Sequence, residues 1–218
     1  MINKRNNNKP HYQNSNPFQI KESALEYLKN DLSVIPLNYD KTPTVEWQKY
    51  QSKIMSIDEA EKLFDNAYGV GLVCGGISGN IEVIDVDIKN DNKDNLCKIY
   101  LETLKNDLTE NIFSKLVISK TVNGGYHIFY RYNADNEYSD ICLNPYNNLH
   151  QLKEFKPCLY FTRRIERCYV VIPPTPSYEL IQGSFTKISP ISYFDRNDIF
   201  LHAKFIGKYD KQERLLVL

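Results

Sequence analysis

The segment Ile81-Glu82-Val83-Ile84-Asp85-Val86-Asp87 constrains this chain more than any other. Its apolar residues alternate with period two, the signature of a strand, and Asp85 and Asp87 fall on one face of it. Side chains two apart on a strand point the same way, so the two carboxylates stand a few Å apart and repel. A divalent cation between them relieves that repulsion, and hard oxygen ligands suit Mg²⁺ or Mn²⁺, ions that commonly accompany phosphate chemistry. Without context the same residues fit two solvent-facing acids at a strand end equally well. The surrounding sequence has to decide.

The chain has 218 residues, enough for one large domain or a two-lobed one with a sizeable core. Its 27 basic residues balance 27 acidic ones, so net charge argues neither for nor against nucleic acid. The five cysteines (Cys74, Cys97, Cys142, Cys158, Cys168) include no Cys-x-x-Cys pair and no cluster with zinc spacing. They read as reduced thiols in a cytoplasmic protein. No apolar run approaches the roughly 20 residues of a membrane span. Residues 1–16, rich in Asn and Lys, lack the apolar surface to offset ordering entropy and read as a disordered polar tail. Residues 17–190 are expected to form the main domain, and 191–218 a C-terminal helical segment, with truncation before a further domain as one reading of its end.

Helices are expected at 19–31, on the stripe Ile20, Ala24, Leu25, Tyr27 and Leu28, and at 56–65, opened by the capping box Ser56…Glu59. Two more are expected at 94–107 and from Ile199 to Phe205. Strands are expected at 33–37 (with Pro36 suiting an edge), 68–74, 81–87, 116–121, 126–132, 159–161, 168–172 and 178–182. Residues 133–156 read as a long polar loop. Gly75 to Asn80 reads as a hairpin turn; a strand rather than a helix follows its glycines, which rules out a P-loop. Asn123-Gly124 marks a second hairpin. The order α-β-α-β-β-α-β-β-β-β-β-α predicts an α+β fold rather than a doubly wound one.

The second informative stretch is Ser119 to Arg131. His127 opens a strand just after the turn Gly124-Gly125, where backbone can approach a ligand closely and an imidazole can reach a phosphate or sugar. Lys120 and Arg131 supply positive charge nearby. Each of these residues also has an ordinary structural reading: a satisfied core histidine, and solvated surface cations.

Taken in order, the motifs resemble the N-terminal primase-polymerase domain of the archaeo-eukaryotic primase superfamily, found in replication proteins of plasmids, phages and other mobile elements. The resemblance covers about residues 20–207. It rests on Val34-Ile35-Pro36-Leu37, Lys41-Thr42-Pro43 with Trp47, Gly69-Val70-Gly71-Leu72-Val73, Ser78 to Asp87, Gly124-Gly125-Tyr126-His127, and Tyr169-Val170-Val171-Ile172-Pro173-Pro174-Thr175-Pro176 with Tyr178 to Gly183.

The resemblance implies an RRM-like antiparallel or mixed catalytic sheet with flanking helices and a smaller N-terminal α/β module. It implies that Asp85 and Asp87 hold Mg²⁺ or Mn²⁺ and that His127 meets the phosphates of an incoming nucleoside triphosphate. Lys120, Gly124, Gly125, Arg131 and Arg164 are then expected near triphosphate or template backbone. The implied activity is a metal-dependent DNA primase and polymerase, with single-stranded DNA as template and a replicative helicase as partner. The alternative is a catalytically inactive remnant that binds nucleotide or single-stranded DNA. A metal-dependent nuclease or an Asp-x-Asp glycosyltransferase leaves the Gly-Gly-Tyr-His and Pro-Pro-Thr-Pro segments unexplained.

One departure favours the remnant. The family carries a third acid on a later strand, followed by an arginine and a glycine-rich turn. Counting back from Tyr169 puts that acid at Thr162, or at Phe161 if one residue is inserted, and neither is a carboxylate. Arg164, or Arg163 with the insertion, keeps the arginine. Ile165, Arg167 and Cys168 stand where glycines are expected, and Glu166 lies too far along to be taken as the replacement.

Overall fold

The computed structural model describes residues 16–88, 96–132, 159–164 and 167–206, with the side chains of 87, 88, 96, 159–164 and 203–206 outside that description. The polar tail, the 133–156 loop, Glu166 and the end of the chain lie outside the described residues.

The fold is α+β, with two antiparallel sheets and five helices among the described residues. The smaller sheet has the order β1-β2-β7, from Val34–Leu37, Gly69–Val73 and Tyr169–Ile172. Helices α1 (Pro17–Lys29) and α2 (Ile57–Leu63) accompany it. Helix α1 buries the predicted stripe at Ile20, Ala24, Tyr27 and Leu28, and Ser56 caps α2 by accepting from the Glu59 amide. Pro36 lies in the edge strand β1, where its missing N–H breaks no ladder, and its carbonyl accepts from the Thr44 amide.

The larger sheet has the order β6-β3-β5-β4-β8. Its strands are β3 (Ile81–Ile88), β4 (Val117–Lys120), β5 (Tyr126–Arg131), β6 (Leu159–Arg164) and β8 (Glu179–Gln182). Counted along the chain, β3, β4, β5 and β6 lie in the sequence 4-1-3-2, all antiparallel, the RRM-like arrangement that was expected. Between β3 and β4 come α3 (Leu96–Asp107) and a short α4 (Glu110–Phe113) capped by Thr109, which the sequence reading did not contain.

The hairpin expected at Gly75 to Asn80 is absent. β2 and β3 belong to different sheets and meet only at a Gly75–Ile81 bridge, so this turn is the crossover between the two modules. Buried Ser78 braces it, its hydroxyl donating to the Val73 carbonyl and accepting from the Ser33 amide. Both strands carry hairpin-compatible patterns, but β2 is apolar on both faces and fully buried, which suits a central strand with its own two partners.

Strand β3 separates two cores. Ile81 and Val83, with Val117 and Phe129, pack towards the small module, whereas Ile84 and Val86 pack with Ile128 and Tyr130 against α3 and against α5 (Tyr193–Ile206). The second layer is locked by Glu82, whose carboxylate accepts from both Arg196 Nε and Nη2 at 2.8 and 3.0 Å and from the Tyr130 hydroxyl. Helix α5 begins six residues earlier than its apolar pattern predicts, because Ser192 and Asp195 cap one another reciprocally.

Candidate active site

Asp85 sits on the face of β3 that carries Ile81 and Val83, where the first core opens towards solvent. Directly opposed residues of an antiparallel ladder share a face. Three successive pairings therefore align Thr162 of β6, Asp85 of β3, His127 of β5 and Ser119 of β4 in one row. Within it, His127 Nε2 lies 3.4 Å from Asp85 Oδ1. The imidazole is buried while the carboxylate keeps 19% of its surface exposed, so the pair has one dry end and one wet end.

His127 is held from behind by the other module. Its Nδ1 lies 3.2 Å from the Val171 carbonyl in β7, and a carbonyl can only accept, so Nδ1 carries the proton and donates. That leaves Nε2 as the nitrogen facing Asp85. Phe129 meets the ring edge-on and Tyr178 lies 5.9 Å away, tilted by 37°. Beyond His127 in the row, the Ser119 hydroxyl is buried with no hydrogen-bond partner among the described residues. The β4–β8 register shifts between Ile118 and Ser119, next to that hydroxyl.

The remaining expected residues are placed unevenly. Asp87 follows two positions along β3, opposite Tyr160, and Arg164 stands opposite Val83, in phase with Asp85; their side chains are outside the described residues. Lys120 is exposed at the end of β4, and alternation puts it on the opposite face from Ser119. Gly124 turns at φ 85° with open space around it. Gly125 is packed so closely on β3 that a Cβ there would run into the Val86 carbonyl oxygen.

Arg131 lies at the far end of β5 from His127. Its guanidinium donates to the carbonyls of Ser78, Gly79 and Ile188 at 2.6, 2.7 and 3.1 Å, tying the crossover turn to the segment before α5. Gly79, at φ 74°, is required there, since a Cβ would overlap that guanidinium.

The register also resolves the two counts for the third acid. Thr162, not Phe161, stands opposite Asp85; Phe161 pairs with Val86, which faces the helices. In the turn that follows, Arg167 adopts φ 54°, the left-handed conformation that a glycine would take without strain.

One contributor was not among the expected site residues. Lys41, in the loop after β1, holds its ammonium 5.3 Å above the Tyr178 ring that also lies against His127. Its carbonyl accepts from the Tyr169 hydroxyl at 3.2 Å, and Trp47 packs edge-on against Tyr169. Its sequence signal is the motif Lys41-Thr42-Pro43 with Trp47.

Among the described residues no group of three or more His, Cys, Asp or Glu side chains is placed to hold a metal ion. The donors that are present still suit one. Mg²⁺ is commonly bound by one or two carboxylates and completed by waters and substrate phosphates, which matches an accessible Asp85 with Asp87 one pleat further on. Among the described residues no helix is long and apolar enough to cross a membrane.

A comparison with curated proteins gave no match. The family model for the bifunctional DNA primase/polymerase N-terminal domain, Prim-Pol, matches residues 24–192. The matched span begins inside α1, ends where α5 starts, and takes in both sheets with the Asp85–His127 row between them. Over most of its length, then, this chain belongs to the Prim-Pol family of bifunctional DNA primase/polymerase N-terminal domains.

Proposed function

We propose that the domain is a metal-dependent nucleotidyltransferase, making and extending DNA primers on single-stranded DNA in the replication of a mobile element, alongside a replicative helicase. The observation that carries this reading is the 3.4 Å approach of His127 Nε2 to Asp85 on one sheet face. Asp85 and Asp87 would hold the Mg²⁺ or Mn²⁺ ion, which supplies a lowered pKa at the primer 3′-hydroxyl and neutralises charge on the departing pyrophosphate. His127 would orient the triphosphate, with Nδ1 held by the Val171 carbonyl and Nε2 turned towards the phosphates. Because the ring is fixed through the other module, Nε2 needs no reorganisation to meet its partner. The buried side of the row excludes water, and the exposed edge of Asp85 admits the reacting groups.

The test is extension and de novo synthesis of labelled primers by purified protein with either metal. Activity in the wild type that disappears in the Asp85→Ala, Asp87→Ala double variant is the expected result. Absence of both products with both metals rejects the reading.

A second reading is supported by position 162, opposite Asp85 in the β3–β6 register, where the residue is a threonine and not an acid. On this reading the domain binds nucleotide or single-stranded DNA without turnover. Measurable binding with no product would favour it, and robust wild-type turnover would dispose of it.

A further inference from the structure

Lys41 combines a left-handed backbone, fixed by its loop, with an ammonium that rests on an aromatic ring next to His127. Its φ is 69°, a left-handed conformation that costs a β-carbon residue about 1 kcal/mol. The surrounding loop enforces it. Asn38 donates its amide to Thr42 and accepts from the Lys41 amide, and Asp40 Oδ1 accepts from both the amide and the hydroxyl of Thr42. Tyr169, from β7, then pins the Lys41 carbonyl. Strain stored in a braced loop is a common mark of a ligand-contacting position.

The side chain points the same way. Among the described residues no carboxylate pairs with the Lys41 ammonium; it rests against the Tyr178 ring, which also lies near the His127 imidazole. Such a contact with an aromatic face is worth about 0.5–1 kcal/mol at a partly exposed site. It is weak enough to yield to a phosphate oxygen, and a flexible four-carbon stem gives the ammonium reach. Tyr178 thus contacts both the ammonium and the histidine without neutralising the charge.

We propose that Lys41 is a phosphate-binding residue of the nucleotide site, closing on the outer phosphates of a nucleoside triphosphate from the small module while His127 meets them from the large sheet. Tyr178 is the positioning residue against which the ammonium rests. The inference rests on the nucleotide-binding part of the function proposed above and is independent of whether turnover occurs.

The experiment is direct binding of a fluorescent nucleoside triphosphate and of the corresponding monophosphate, with Mg²⁺, to the wild-type protein and to Lys41→Asn, Lys41→Arg and Tyr178→Leu. Asparagine tolerates the left-handed backbone, so Lys41→Asn removes the charge without adding strain. The expected result is a roughly ten- to hundredfold loss of triphosphate affinity in Lys41→Asn with monophosphate affinity unchanged, largely rescued by Lys41→Arg. Tyr178→Leu should give a smaller loss of the same selectivity. Equal triphosphate affinity in Lys41→Asn and wild type overturns the proposal, as does an equal loss for both nucleotides. A wild type that binds triphosphate without extending primers would sink the polymerase reading and leave the role of Lys41 standing. A wild type with no triphosphate affinity sinks both.

Discussion

Thr162 stands directly across the β3–β6 pairing from Asp85, in phase with the row that His127 and Ser119 continue. A carboxylate at that position would share the face with Asp85 and could add a ligand to the same ion. Thr162→Asp, combined with Arg167→Gly to relax the left-handed turn, should tighten Mn²⁺ binding and raise primer extension by at least about tenfold. Calorimetric titration with Mn²⁺ and a gel-based extension assay would measure the two effects. No gain in either would mean that the β6 position does not reach the ion.

Gly125 belongs to the architecture of the row. With Val86 carbonyl oxygen occupying the space of any Cβ, Gly125→Ala must push β5 away from β3 just before the Asp85–His127 pairing. Overpacking of this kind costs about 1–3 kcal/mol. The variant should show a lower urea midpoint, and its residual nucleotide affinity should fall with the displacement of His127.

For Arg131 the expected phosphate role competes with a visible structural one. Arg131→Ala removes three charge-assisted hydrogen bonds that join the crossover turn to the segment before α5, and should destabilise the fold by about 2–4 kcal/mol. Thermal denaturation would show the loss. Nucleotide affinity of the folded fraction should change little, since the guanidinium is already committed at the far end of β5.

Stability should also carry a modest acid-side dependence from Glu59. Its carboxylate accepts from the Tyr50 hydroxyl at 2.6 Å and from Lys49 at 3.1 Å, and these bonds, Tyr50 foremost, hold its pKa below the usual carboxylate range. A depressed folded-state pKa gives stability that is complete above the unfolded value and is lost as pH falls through the folded one. Glu59→Gln should therefore be less stable than wild type near neutral pH. The gap should narrow between about pH 5 and pH 3. A gap that stays constant across that window would show that the carboxylate's charge plays no part.

How far the sequence could be read depended on whether a residue's partner lies near it in the chain. The Ser56–Glu59 cap, the α1 stripe and the Asn123-Gly124 turn are local devices, and the structure places them as expected. The Asp85–His127 pairing joins β3 to β5 across α3, α4 and β4, so it was legible through the order of the motifs and not through any local device. The start of α5 was missed because Arg196 interrupts its apolar stripe, and only Glu82, on a distant strand, makes that arginine a core residue. The Gly75–Asn80 turn was misread for a similar reason: the residues permit a hairpin, and the partners of β2 and β3 lie elsewhere in the chain. Arg131 and Lys41 are indistinguishable in composition from surface cations. Their assignments depend on carbonyls and an aromatic ring contributed by remote segments.

The Glu82–Arg196 lock has a consequence for how this family can change over time. It grips the back of the strand whose front bears Asp85, so the adhesion between layers and the proposed chemistry draw on alternate residues of one segment. Substitutions on the front can extinguish turnover while the back goes on holding the molecule together. Loss of turnover can thus leave a sound protein, which screens for folding or abundance would pass without notice.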